Sequence, residues 1–511
     1  MKRINVFAFL IFVVAFDQFF WDQNLALNFA LFSLLSIIHH FIDSPVSFSK
    51  PSVQMATVGN VIATFMLVYH NSIVSSFVAI ISWIVLIGFF HEEDLRTVYR
   101  AVWSSILHFF KIPPFLKNRE DKLSKEKSTE WMRWMKIVVL PTFIVIVFFL
   151  MFRGANLVFK DVTDQIGHDI KWAFERIFDI ASWERLLFVF LGALIANWVV
   201  FQSQWKIFSK MEYKKTDELL RVRDKNQYGF ISIYFKEIFP MKFKMLRLKD
   251  ENKSGVLAMG MICMLLLIIN SIDIFYVWFG LNYNPKMNFA KDVHQGVYML
   301  IFSIVLSILV MLYYFRRNLN FYSKNKLLKN LAYTWIALNV VLIISVIIRN
   351  VHYINHLGLT HKRIGIFIFL AIVVLGLASL YWKISQRKSF FYMSKFNSWS
   401  IYFMLIFMTC FNWDMIIFNY NFAQKDKLKF DRFYVLDYLS DEAIINLKLK
   451  EKELNKNNDL NIIQDYQEYR YNTLESQFER ITLKLANDKN TWQSWNYRKY
   501  KVKKLIHQVK S

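Results

Sequence analysis

The sequence predicts an all-α protein: a polytopic transmembrane helix bundle of about eleven spans, followed by a C-terminal extracytoplasmic helical domain. Three observations predict it. The 511 residues are 55% hydrophobic and 18% aromatic, and mean hydropathy is positive at +0.27, whereas a soluble domain dilutes its core with charged surface. The apolar residues gather in blocks near the roughly 20 residues that a helix needs to cross about 30 Å of hydrocarbon. Lysine and arginine then recur on every second connection, as orientation in a bilayer requires.

Taken in order, the spans fall near 4–20, 25–42, 54–69, 73–90, 134–152, 186–203, 256–272, 294–315, 331–348, 364–382 and 396–412. The first follows Lys2 and Arg3, as a secretory signal would. Phe16, Asp17, Gln18 and Phe19 stand where small residues would mark cleavage, so an uncleaved span is expected. With the N-terminus in the cytoplasm, loops 91–136 and 204–254 share one side. Those two loops alone hold more Lys and Arg than all the connections of the opposite face before the tail. An odd number of spans puts the C-terminus on the far side, the periplasm if the membrane is a bacterial inner membrane.

This gives four regions: an N-terminal transmembrane region over 1–203, a basic amphipathic cytoplasmic loop over 204–254, a second transmembrane region over 255–412, and an external helical tail over 413–511. Loop 91–136 opens with Glu92, Glu93 and Asp94 and continues as an amphipathic stretch through Trp103, Ile106, Phe109 and Phe110. Loop 204–254 interleaves Tyr228, Phe230, Tyr234, Phe235, Phe239 and Phe243 with Lys236, Lys242 and Lys244. Both suit helices lying on anionic lipid. In the tail, Leu474, Phe478, Ile481 and Leu485 mark one helical face, and Val502, Leu505, Ile506 and Val509 another. The tail is nearly balanced in charge and is read as a small helical module able to meet a periplasmic protein.

The net charge of +24 is a loop property of a membrane protein, and no nucleic-acid motif accompanies it. Cys263 and Cys410 lie in apolar segments and act as small apolar residues, not as a disulfide framework.

Several motifs stand out along the chain. His294-Gln295-Gly296-Val297-Tyr298 opens one span, Leu331 to Trp335 with Asn339 mark the next, and Arg349, Tyr353 and Gly358-Leu359-Thr360-His361-Lys362-Arg363 form the following turn. Further features are Phe16-Asp17-Gln18-Phe19-Phe20-Trp21 with Leu27-Asn28, Asn412-Trp413-Asp414 with Tyr420-Asn421, and Trp492-Gln493-Ser494-Trp495-Asn496. In this order they resemble a bacterial family of multi-pass membrane proteins catalogued as a domain of unknown function. The resemblance implies an envelope membrane protein and carries no catalytic residues with it.

Asp273, His294, Arg349, His352, Tyr353, Thr360 and Arg363 all fall near the external ends of their spans. Ionisable groups at membrane depth are costly and have partners, so this group is a candidate ligand or ion site, with Arg349 and Arg363 holding Asp273 or an anion. The competing expectation is that they brace the turn 349–363. His352, His356 and His361 are weak metal candidates by spacing, without the Cys or carboxylate that would complete a zinc set. Asp17 reads as an interfacial residue, and Asn28, Asn60, Asn197, Asn270 and Asn339 as interhelical hydrogen-bonding groups. No phosphate-binding Gly-x-x-x-x-Gly-Lys-Ser/Thr loop, His-Glu-x-x-His motif or Gly-x-Ser-x-Gly elbow is present, and no cofactor is expected. The leading functional expectation is a non-enzymatic envelope scaffold that meets its partner through the tail. The rivals are an anion or lipid transporter or channel, and a membrane transferase acting on lipid or glycan with His294 or Asp273 as base.

Overall fold

The computed structural model describes residues 3–110, 159–165, 183–201, 206–220, 248–278, 310–315, 318–425, 430–451, 473–488 and 491–510, with single positions at 145, 149, 153 and 308. Among them there is no strand, only an isolated bridge between Glu218 and Lys388.

The N-terminal bundle contains α1 (Arg3–Phe20), α2 (Leu27–Asp43), α3 (Pro51–His70), α4 (Ile73–His91), α5 (Val98–Phe109) and α6 (Trp183–Val200). Local chemistry sets several ends. Pro51 opens α3, where a missing N–H costs nothing. Asn71 ends it in the left-handed region at φ 41°, a conformation asparagine tolerates. Ser72 and Ser75 then form a reciprocal capping box that starts α4. A short helix, α7 (Ile207–Tyr213), packs on the end of this bundle.

The second bundle is built from α8 (Leu248–Asp273), which continues as a π turn through Trp278, α9 (Lys326–Leu357) and α10 (His361–Ser385). Its core centres on Trp335, fully buried among Met259, Leu266, Met311, Leu342 and Leu380. Helix α11 (Phe390–Thr409) joins the two bundles: Trp399, Tyr402 and Ile406 enter the first core, while Met393 enters the second. Close approach at two glycines makes this packing possible. A Cβ on Gly59 would stand 2.5 Å from the Tyr402 hydroxyl, and one on Gly88 would stand 1.9 Å from the Ala101 carbonyl oxygen.

Six helices are long and apolar enough to cross a membrane: α3, α4, α6, α8, α9 and α10. Helix α11 and α12 (Trp413–Ala423) meet at a bend of 60° and make a seventh span if counted together. Large apolar side chains such as Phe7, Phe65, Phe190 and Met264 face outward, as lipid-facing surface does and water-facing surface rarely can. The protein is therefore a multi-pass membrane protein. The described residues account for six or seven of the eleven expected spans. Those read at 4–20 and 25–42 are shorter apolar helices, that at 134–152 lies almost wholly outside the described residues, and that at 294–315 lies mostly outside them.

The asparagines expected between helices divide. Asn60 accepts from Ser33 at 2.5 Å across α2 and α3, and Asn270 donates to the Leu338 carbonyl at 2.9 Å across α8 and α9. Asn28 donates to the carbonyls of Phe19 and Asn24, closing the turn between α1 and α2. Asn339 bonds its own helix at Trp335. Asp17 accepts from Arg185 at 3.1 Å.

Beyond the bend, α13 (Arg432–Tyr438), α14 (Asp441–Leu449), α15 (Leu474–Ala486) and α16 (Tyr497–Lys510) complete the tail. Ile481, Val502 and Ile506 are buried with Ile417, Phe418, Val435 and Ile444, and Leu474, Phe478, Leu485, Leu505 and Val509 pack against them. Ile364 of α10 belongs to the same core, so the tail is continuous with the bundle end.

Candidate functional site

The turn between α9 and α10 is held from within. A helix end leaves four carbonyls without intrahelical partners, and at the end of α9 an arginine serves them. Arg363, 7% exposed, donates through Nη1 to the carbonyls of Leu357 and Gly358. Its guanidinium carbon lies 4.0 Å from the centre of the Tyr353 ring, a cation–π contact beside the favourable negative end of the helix. Gly358 reverses the chain at φ 81°, and a Cβ there would meet Asn421 Oδ1 at 2.8 Å. Asn421, from α12, clasps the next residue on both sides. It accepts from the Leu359 amide at 2.6 Å and donates to the Leu359 carbonyl at 2.9 Å.

Asp273 and Arg349 form a separate pair at the facing ends of α8 and α9, bonded through Arg349 Nη2. Asp273 is buried, and Arg349 is about a quarter exposed. The seven predicted residues thus divide. Asp273 meets Arg349, Arg363 meets Tyr353, and Thr360 stands at the cap position of α10 with its carbonyl accepting from Ile364. His352 is half-buried on α9. His294 lies outside the described residues.

The histidines face different partners. His356 is exposed, and His361 places Nε2 2.9 Å from Asp414 and Nδ1 3.1 Å from the Tyr434 hydroxyl. No group of three or more His, Cys, Asp or Glu is placed to hold a metal among the described residues. A carboxylate only accepts, so Nε2 carries the proton facing Asp414. The Tyr434 hydroxyl also accepts from the His361 backbone N–H at 3.0 Å. Burial pushes the Tyr434 phenol up. The Asp414–His361–Tyr434 chain ties the start of α10 to α12 and to the tail helix that carries Tyr434.

Asp414 is the junction that sequence reasoning missed. It also accepts from Arg498 of α16 at 3.0 Å, which ties the last tail helix to the bundle end. A second tie runs through Glu442, 1% exposed, which accepts from Asn412 at 2.9 Å and from Lys501 at 2.6 Å. That hydrogen bond pushes the Lys501 ammonium up in pKa. The third tie reaches the first two helices. The amides of Leu27 and Asn28 at the start of α2 donate to the carbonyls of Trp495 and Gln493, at 3.3 and 2.9 Å. Ser494 and Thr491 both donate to Gln23 Oε1, and the Asn24 amide donates to Ser494 Oγ at 3.1 Å. Tyr497 stacks on Tyr69 at the end of α3, with ring centres 4.7 Å apart. The motifs at 16–28 and 492–496 stood out in the sequence without revealing that they meet.

A polar network at the opposite ends of α3 and α4 was also missed, although its acidic run was visible. Glu92 is fully buried and accepts from Ser104 Oγ, the Ser209 amide and Ser209 Oγ. Glu212 of α7 accepts from the Arg96 amide and Thr97 Oγ1 and forms an ion pair with Arg100 at 3.2 Å. The His91 and His108 rings stack with centres 4.6 Å apart beside this network. Helix α5 consequently buries Arg100, Ser104 and His108 and turns Trp103, Ile106 and Phe110 outward.

No curated protein and no solved structure matches the chain. A family model described as a domain of unknown function, DUF4153, matches residues 55–448, from within α3 through most of α14. The chain belongs to the DUF4153 family, and its ties between bundle and tail are features of a multi-pass membrane member of that family.

Proposed function

We propose that this protein is a non-enzymatic scaffold of the bacterial inner membrane, presenting a rigid helical platform on the periplasmic side. The observation that supports the reading most is the triple tie of the tail: to Asp414, to Glu442 and to the α1–α2 turn. A platform fixed at three points presents its surface in one orientation, which reduces the ordering cost of binding a partner. Exposed rings such as Phe433 and Tyr438 give that surface contact groups of the kind enriched at interfaces. The basic loops 91–136 and 204–254 would hold anionic lipid on the cytoplasmic side.

The transport reading has less support. Arg349 is paired with Asp273, and Arg363 is engaged with helix-end carbonyls and the Tyr353 ring.

The test uses the full chain in its native membrane, with a photo-crosslinking residue at Tyr438, which is 69% exposed. The scaffold reading expects one discrete protein adduct that is lost when Arg498→Ala and Lys501→Ala release the tail. Reconstituted protein that moves chloride or phosphate across vesicles, and stops on Arg349→Ala, would replace scaffold with transporter.

A further inference from the structure

The lipid-facing side of α3 does not stop where the helix ends. Met55, Val58, Ile62, Phe65 and Tyr69 recur at helical spacing and are all exposed, as the outer stripe of a membrane span is. From Phe65 the stripe continues ring on ring. Phe65 stacks with Tyr69 at 6.3 Å between centres, Tyr69 with Tyr497 at 4.7 Å, and Tyr497 meets Tyr500 at 6.3 Å. Aromatic pairs attract at these separations. The first two rings belong to a helix able to cross the membrane, and the last two to the first turn of α16 in the tail. Exposure runs from 38% at Tyr497 to 60% at Phe65, so the ladder is surface.

Helix α16 changes character after this turn. The next positions on the face of Tyr497 and Tyr500 are Lys504 and His507, both exposed. A second contact fixes the level of the rings. Trp492, 53% exposed, meets Phe19 in the last turn of α1 edge to face at 5.7 Å. The carbonyls of Gln493 and Trp495 serve the first amides of α2. Segment 492–500 therefore lies against the end of α1, the start of α2 and the end of α3, all at one end of the bundle. A single exposed tyrosine facing water needs no explanation. Adjoining rings that begin on a lipid-facing helix and give way to Lys504 do need one. Tyr and Trp put an apolar ring in hydrocarbon and a polar tip in water, and they collect at headgroup level for that reason.

We propose that Tyr69, Trp492, Tyr497 and Tyr500 form an interfacial anchor that docks the tail onto the lipid of the tail-side leaflet. The start of α16 then lies in the headgroup layer and its C-terminal half in water. The occupant of this surface is the bilayer itself, and contact with uncharged rings holds it. The anchor concerns where the tail sits, whatever the tail binds, so it stands or falls apart from the scaffold reading.

The experiment uses the full chain in lipid nanodiscs. Spin labels carried on p-acetylphenylalanine replace Phe65, Tyr500 and His507 one at a time, which leaves Cys263 and Cys410 in place. Collision with oxygen, which concentrates in hydrocarbon, is compared with collision with a water-soluble nickel chelate. The oxygen-to-nickel ratio should be highest at position 65, intermediate at 500 and lowest at 507. The order should be the same in phosphatidylcholine alone and in phosphatidylcholine with phosphatidylglycerol, because the rings carry no charge. A ratio at 500 as low as at 507 would overturn the proposal. So would a raised ratio at 500 that needs phosphatidylglycerol, since charge and not ring contact would then hold the tail. Benzoylphenylalanine in place of Tyr500 gives a second readout that does not depend on the label. Irradiation should yield phospholipid adducts by mass spectrometry, and their absence at 500 where position 65 gives them would also overturn it.

Discussion

Arg498, in the last helix of the tail, donates to Asp414 at 3.0 Å, just beyond the 60° bend that ends the bundle. Both side chains are less than a fifth exposed, and the same carboxylate accepts from His361. One carboxylate thus joins the α9–α10 turn, the bend and the tail. Arg498→Ala should leave Asp414 partly buried with one donor fewer, at a cost of about 1–3 kcal/mol. A lower melting temperature with unchanged helix content by circular dichroism is the expected result.

The Lys501–Glu442 pair gives the tail a pH signature. Its hydrogen bond raises the Lys501 pKa above the usual 10.5. A raised lysine stabilises the fold fully below its unfolded pKa and loses that contribution as pH rises through the folded one. Lys501 is about half exposed, so the contribution is under about 1 kcal/mol. The stability gap between wild type and Lys501→Gln should hold constant from pH 7 to about 10 and close above it. Thermal melts across that range measure the gap.

Glu212 fastens α7 to the N-terminal bundle, and its loss should be costly. Glu212→Ala would leave Arg100, itself 8% exposed, without its buried carboxylate. The expected loss is about 3–5 kcal/mol, with faster hydrogen exchange over 207–213. Glu212→Gln, which keeps one acceptor oxygen for the Arg96 amide and offers an NH2 to the Thr97 hydroxyl, should lose less.

Packing at Gly88 and Gly260 predicts opposite results from the same substitution. A Cβ on Gly88 meets the backbone of Ala101 at 1.9 Å, and nothing lies within 4 Å of one on Gly260. Gly88→Ala should cost about 1–3 kcal/mol or more because α5 must move away from α4. Gly260→Ala, in the middle of α8, should be neutral or slightly stabilising. Melting temperatures of the two purified variants decide it.

Much of the architecture was legible because bilayer thickness imposes a length on helices that composition alone displays. Helices α3, α4, α9 and α10 cover the stretches expected, and the tail faces at Leu474–Leu485 and Val502–Val509 enter one core. The partners of the polar groups were much less legible. Arg363 bonds backbone carbonyls, which no residue identity announces. Glu92 is served by Ser104 and Ser209, which are more than a hundred residues apart, and Glu212 by Thr97 and Arg100, which precede it by more than a hundred residues. Helix α5 shows why its amphipathic pattern was easy to see and its polar face hard to interpret. In a membrane protein the apolar face can look outward, and here Arg100, Ser104 and His108 are the buried side.

The most direct test of the tail's attachment is amide hydrogen exchange at Leu27 and Asn28 in full-length protein in lipid nanodiscs. These amides open α2, where a helix has no internal acceptors for them, and the Trp495 and Gln493 carbonyls of the tail accept their protons instead. Exchange should be slow in wild type and markedly faster in Arg498→Ala with Lys501→Ala. Wild-type exchange at both amides as fast as in an unprotected peptide would contradict the clasp and the fixed platform built on it.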